Sequence, residues 1–243
     1  APASIASSFC RAMRSPVIFD NVFSPSACRH VHTAASLGGL GDECHTLFHR
    51  AANAPRTPLE TALDSVLAQL GDPADFVEYW WRDEWQHVEA HADIDEFLFE
   101  RDKTVRYPHH GHVLYLSVTS GTRGPTCVWQ PDYAGPMVVV PARAGRLLRF
   151  GGDLVHAVPR PADAWTVGAE AAEAVHDDDE AAHVRSVILF NTWSAPPLDV
   201  EQVPTDLHEA MDDMAAEFGG AAVEALAEIM RTPDAHCRPR AEW

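Results

Sequence analysis

The sequence predicts an α+β, β-rich fold: an antiparallel sandwich or barrel in a single domain over residues 1–243, braced by helices on its N-terminal and C-terminal sides. Three observations carry this. Between about residues 76 and 195, short segments rich in Val, Leu, Trp and Tyr are separated by Gly, Pro and Asp, the rhythm of antiparallel strands. On either side, apolar residues recur at helical spacing. At 243 residues and 46% hydrophobic content the chain can bury one sizeable core, and it carries no internal repeat.

Taken in order, Val17-Ile18-Phe19 reads as a short strand, and Ser24-Pro25 as a helix N-cap followed by proline at the first helical position. Thr57-Pro58-Leu59-Glu60 is a capping box, after which Leu59, Leu63, Val66, Leu67 and Leu70 repeat at helical spacing until Gly71 supplies a stop. Strands are predicted over 80–91, 113–118, 127–129, 137–140, 146–150, 155–158 and 184–193. Residues 160–183 hold Asp163, Glu170, Glu173 and the run Asp177-Asp178-Asp179-Glu180 among few large apolar side chains. Such a run reads as a solvated loop, and its place in the chain also allows a lid. Beyond it, Leu207, Met211, Met214 and Phe218 form a helical stripe, Gly219-Gly220 interrupts it, and Val223, Leu226, Ile229 and Met230 begin another.

Acids outnumber bases 36 to 18, a formal net charge of -18. This argues against nucleic acid, whose phosphates are bound by clustered Lys and Arg. It favours a cationic small molecule or peptide, or serves solubility alone. Five irregularly spaced cysteines, Cys10, Cys28, Cys44, Cys127 and Cys237, include no CxxC pair and read as reduced thiols. No apolar run approaches the roughly 18 residues of a membrane span, and residues 1–14 lack signal-peptide character. The expectation is a soluble, cytoplasmic protein with no membrane partner.

Candidate chemistry concentrates in a few positions. Alternate residues of an extended strand share a face, so on an unbroken strand His87, Glu89, His91 and Asp93 point the same way. Two pairs, His87 with Glu89 and His91 with Asp93, could each offer an imidazole and a carboxylate to one ion. Asp93 precedes Ile94-Asp95-Glu96, a strand exit where a site can open; this favours the second pair and leaves His87 and Glu89 as lining or orienting groups. His156, heading a strand after the Gly151-Gly152 turn, would return across a barrel as a third ligand. Two imidazoles and one carboxylate leave the opposite face of a metal open, the ligand set of non-haem Fe(II) oxygenases. Pro108-His109-His110-Gly111 reads as a turn whose histidines face solvent or substrate.

Arg185 begins the strongly apolar run Arg185-Ser186-Val187-Ile188-Leu189-Phe190-Asn191-Thr192-Trp193, where a buried guanidinium needs an anionic partner. A dicarboxylate suits its planar fork, and a salt bridge to a local acid is the plainer option.

With these residues in view, the chain resembles the 2-oxoglutarate and Fe(II)-dependent dioxygenases, in their prolyl 4-hydroxylase-like branch. The resemblance runs from Pro16-Val17-Ile18-Phe19-Asp20-Asn21-Val22-Phe23-Ser24 to the strand ending at Trp193. Its core is the HxD…H…R pattern of His91, Asp93, His156 and Arg185, supported by Val113-Leu114-Tyr115-Leu116-Ser117 and Arg123-Gly124-Pro125-Thr126. It implies a double-stranded β-helix, a cupin-like jelly roll. It also implies iron held by His91, Asp93 and His156, and 2-oxoglutarate whose distal carboxylate meets Arg185 and Tyr115 with Thr126 nearby. The implied co-reactants are Fe(II), 2-oxoglutarate and O2, with ascorbate as an accessory; the products include succinate and CO2. Two departures stand out. The gap from His156 to Arg185 is 29 positions (185 minus 156), long for the family, which keeps Arg160 open as another anchor. The polar residue usual near the arginine is met only by the adjacent Ser186, with Leu189 where a hydroxyl would sit.

The resemblance implies hydroxylation of a peptidyl residue such as proline, or of a small amino-acid-like metabolite, by analogy of fold alone. Trp80, Trp81, Trp85, Trp129, Trp165 and Trp193 are candidates for lining a cleft, with Trp129, Trp193 and His87 the named substrate contacts. Two alternatives use the same three ligands: a cupin-like metal-binding protein without oxygenase activity, and a non-redox Zn or Mn enzyme. Both predict indifference to 2-oxoglutarate.

Overall fold

A computed structural model describes residues 15–37, 45–52, 56–119, 124–129, 137–159 and 184–202. In chain order these form β1 (Val17–Phe19), α1 (Pro25–Leu37), β2 (Thr46–His49), α2 (Pro58–Gln69), β3 (Phe76–Glu84), β4 (Val88–His91), α3 (Glu96–Asp102), β5 (His110–Val118), β6 (Thr126–Val128), β7 (Val138–Val140), β8 (Leu147–Gly151), β9 (His156–Val158) and β10 (Val184–Trp193).

Two sheets result, one of six strands in the order β1-β8-β5-β10-β3-β2 and one of four in the order β4-β9-β6-β7. Every pairing between these strands is antiparallel. From β3 onward the chain winds between them: β3, β5, β8 and β10 join the large sheet, and β4, β6, β7 and β9 the small one. This winding is a double-stranded β-helix, the jelly roll expected.

Alternation along the strands sorts side chains into two cores. Val113, Tyr115, Leu148, Phe150 and Val187 of the large sheet meet Val128 and Val140 of the small sheet in the interior. Val77, Tyr79, Leu114, Leu116, Ile188 and Phe190 point the other way, onto the helices. There α1 contributes Ala27, Cys28 and Val31, and α2 contributes Leu59, Leu63, Val66 and Leu67. Leu63 and Leu67 are 0% exposed, and burying each contributes about 1.5–3 kcal/mol. The helix α2 begins as its sequence demands: Glu60 N–H donates to Thr57 Oγ1 at 3.1 Å and Thr57 N–H donates to Glu60 Oε2 at 2.8 Å. Gly71, at φ +63°, takes the left-handed conformation just past its end.

Two expectations need correction and one needs an addition. The segment 80–91 is not one strand: β3 ends at Glu84, β4 begins at Val88, and the two lie in different sheets. No glycine or proline stands in Trp85-Gln86-His87 between the two strands, so the sequence carries no sign of the crossing. Ile94-Asp95-Glu96 leads into a helix as well as out of a strand: Asp95 caps α3, accepting from Leu98 N–H at 2.9 Å. Of the histidines assigned to the 108–111 turn, His109 is exposed ahead of the strand, but His110 is the first residue of β5 and is partly buried on the helix side. The edge strand β2, four residues long, had no periodic signal to announce it.

The acidic stretch 160–183, with Arg160 and Trp165, and the C-terminal stripes at 207–230 lie outside the described residues, as does Arg123. Cys28 and Cys127 are free and buried. No helix among the described residues is long and apolar enough to cross a membrane.

Candidate metal centre

His91 and His156 are direct cross-strand partners, the last residue of β4 opposite the first of β9. Their rings lie 4.4 Å apart between centroids. The strand then releases Asp93 into the turn before α3, and its carboxylate folds back: Asp93 Oδ1 is 3.4 Å from His91 Nε2 and 3.7 Å from His156 Nε2. One donor atom from each of the three residues falls within 4.8 Å of the others, the sole grouping of His, Cys, Asp or Glu among the described residues able to hold an ion. His87 and Glu89 are exposed and outside it.

The second nitrogen of each ring is spoken for. His91 Nδ1 lies 2.8 Å from Glu89 O, and His156 Nδ1 lies 3.3 Å from Leu154 O. A carbonyl only accepts, so each Nδ1 carries a proton, and each Nε2 is the atom left to face Asp93 and, once deprotonated, to hold a metal. Phe150 backs His156 with ring centroids 4.9 Å apart. Burial pushes the Asp93 carboxyl up, but the two histidines and a hydrogen bond from Asn191 outweigh it and hold the group at about 2. The hydrogen bond to Asp93 raises His91, whereas burial lowers His156. Asn191, 3% exposed on β10, was not singled out from sequence; the signal was an amide standing in an otherwise apolar run at an inward-facing position.

The large sheet supplies a second cluster. Arg185, 3% exposed, lays its guanidinium 5.2 Å from the Tyr115 ring centre. It donates from Nε to Gly124 O at 2.8 Å and from Nη2 to Thr126 Oγ1 at 3.1 Å. Tyr115 Oη and Thr126 Oγ1 share a hydrogen bond of 2.7 Å. No carboxylate pairs with Arg185 among the described residues. Burial lowers its pKa from the ordinary arginine value. Ser186 turns to the opposite face, bonded to His32 Nδ1 at 2.7 Å and accepting from Trp81 Nε1 at 3.1 Å, and so takes no part in this pocket.

A cleft of about 590 Å³ opens over the His91 and Asp93 carboxylate side, lined also by Trp80, Arg82, Phe97 and Asn191. Of the named substrate contacts, Trp129, Trp193 and His87 do not line it. Trp193 is 2% exposed and donates to Glu78 Oε2 at 3.0 Å, reaching the cleft only through that residue. Trp80 does line it, stacked on His45 at 4.4 Å.

No protein-family profile and no curated protein matches the chain. Among solved structures it is similar to a prolyl-4-hydroxylase from Pseudomonas putida, at 13% identity over 77% of this chain and 90% of that one, with a TM-score of 0.46. It is also similar to iron-bound HygX from Streptomyces hygroscopicus, at 15% identity over 84% and 93%, TM-score 0.46. A third is the α-ketoglutarate-dependent epimerase SnoN from nogalamycin biosynthesis, at 13% identity over 79% and 82%, TM-score 0.43.

Proposed function

We propose that this chain is an Fe(II)- and 2-oxoglutarate-dependent dioxygenase that hydroxylates a small amino-acid-like metabolite or a peptidyl residue such as proline, releasing succinate and CO2. The observation that carries the reading is a buried arginine with no acidic partner among the described residues, held by a tyrosine and a threonine inside the same sandwich that gathers two imidazoles and a carboxylate. A site for a lone structural ion has no use for such a cation. A dicarboxylate does.

The donor set fits Fe(II): two neutral nitrogens and one anionic oxygen, leaving part of the coordination sphere to other ligands. His91, Asp93 and His156 would hold the metal, and Arg185, Tyr115 and Thr126 the distal carboxylate of 2-oxoglutarate. Bound there, iron and the co-substrate supply the oxidising chemistry with O2. The protein's own part is placement. Carbonyls of Glu89 and Leu154 fix the two tautomers, Asn191 orients Asp93, and the apolar interior of Val113, Val128, Leu148 and Val187 keeps water from the buried end.

The test is an anaerobic titration of the apoprotein with Fe(II), then 2-oxoglutarate, followed by the visible charge-transfer band, with His91→Ala as control. A band that needs both additions and His91 is expected. Folded, iron-loaded protein without a band would favour a metal-binding protein that is not an oxygenase, or a Zn or Mn enzyme.

A further inference from the structure

One cation of the cleft has no task in the scheme above. Arg82 sits on β3, its Cα paired with Val187 of β10, and shares the inward-facing register of Glu78 and Trp80, which line the same cleft. It makes no hydrogen bond or ion pair with any described residue, and its Nε is buried without a partner. Its positive charge also works against that of Arg185. A guanidinium that lines a cleft, partly desolvated and unmatched, is a place where an anion binds.

The co-substrate does not satisfy it. On the proposed reading, which this inference rests on, the two positive charges of the metal and the one of Arg185 are balanced by Asp93 and the two carboxylates of 2-oxoglutarate. Arg82 is left over. The remaining lining residues set an upper limit on the charge that can enter, because Glu96, Asp199 and Glu201 present exposed carboxylates along the same cleft. Phosphate esters and other polyanions are repelled by these groups, while a single carboxylate is not excluded.

We propose that Arg82 is the residue of the cleft that recognises the oxidised substrate, and that this substrate carries one free carboxylate, as an amino acid or a peptide C-terminus does. The guanidinium fork fixes the carboxylate, and the carbon to be oxidised is then presented to the metal from the cleft side, while Arg185 serves the co-substrate from the buried side. Arg82 is a specificity-determining residue in this scheme and takes no part in metal binding.

The experiment uses wild-type protein and the variants Arg82→Gln and Arg82→Lys, each loaded anaerobically with Fe(II) and 2-oxoglutarate. The probes are the common amino acids, each beside its own carboxamide, and short peptides with free or amidated C-termini; the readouts are thermal stabilisation and the charge-transfer band. In wild type the acid form of at least one probe should bind about tenfold or more tightly than its amide. That preference should vanish in R82Q and persist in part in R82K, and the free amino acid and peptide arms separate the two sources. Equal responses to acids and amides, whether strong or absent, overturn the proposal. So does an acid preference that survives in R82Q, which would mark chelation at the metal. A higher 2-oxoglutarate requirement for the band in R82Q overturns it too, assigning Arg82 to the co-substrate. Loss of the band in wild type would instead defeat the dioxygenase reading, with the acid–amide comparison still reporting on Arg82.

Discussion

Arg185 reaches from the large sheet to the small one and donates to Thr126 Oγ1 at 3.1 Å, tying β10 to β6 through the interior. Thr126, weaker than Tyr115 on sequence grounds, is the hinge of this cluster, since its hydroxyl also bonds Tyr115 at 2.7 Å. Arg185→Ala should raise the 2-oxoglutarate concentration needed for the charge-transfer band by well over tenfold, with Fe(II) binding little changed. Thr126→Val removes one charge-assisted bond and should raise that requirement by roughly tenfold. An unchanged requirement in R185A would move the anchor elsewhere.

Asn191 predicts a separate effect on the metal. Its side chain holds Asp93, and residues that orient ligands typically alter metal affinity by about 10–100-fold when removed. Asn191→Leu should therefore weaken Co(II) or Fe(II) binding within that range. Asp93→Ala should abolish it, and with it substrate-dependent succinate release. Wild-type affinity in N191L, measured by metal titration of folded protein, would show that Asp93 is held by the histidines alone.

Gly152 lies in the turn that delivers His156 to the site. A Cβ there would meet Pro108 O at 2.2 Å, a backbone atom that cannot step aside without moving the start of β5. Gly152→Ala should thus shift the β8–β9 turn, lower the melting temperature and reduce metal affinity together. A variant that melts like wild type would mean that the 108–110 segment yields freely.

Much of this site was readable in the residues because it follows local rules. Capping chemistry at Thr57 and Glu60, the alternation in 184–193 and the His-x-Asp spacing each express physics acting over a few neighbours. The justification for the His-x-Asp pair was less sound than the pair itself. It assumed a strand unbroken over 80–91, yet the chain changes sheets between Glu84 and Val88, and His91 is aimed by its pairing with His156. Asn191 and Arg82 went unremarked because their meaning depends on strands brought together from far along the chain, which no window of sequence displays. The same holds for His112, whose burial comes from packing against Phe190, 78 positions away.

That histidine makes the last prediction, with Asp72, on the helix side of the large sheet. His112 stacks on Phe190 at 4.3 Å and 1°, and burial, reinforced by the charge of Arg149, pushes it down to about 3. Burial pushes the Asp72 carboxyl up, but hydrogen bonds from His110 and the Ala74 N–H and the charge of Arg149, whose Nη2 is 2.7 Å away, hold it well below the usual carboxylate range. Both shifts act in one direction. Below pH 6.5 the unfolded chain protonates His112 while the fold keeps it neutral, so stability falls from there toward pH 3. Asp72 adds stability that is fully present above its unfolded value of 3.8 and is lost as pH falls through its folded one. His112→Phe preserves the ring stack and should flatten the stability profile between about pH 6.5 and 4 relative to wild type. Asp72→Asn leaves Arg149 buried without its counter-charge and should cost about 3–5 kcal/mol at neutral pH, a deficit that narrows below pH 3.8. Urea unfolding across this pH range tests both, and an H112F profile parallel to wild type would show that His112 takes up its proton in the folded state as readily as in the unfolded one.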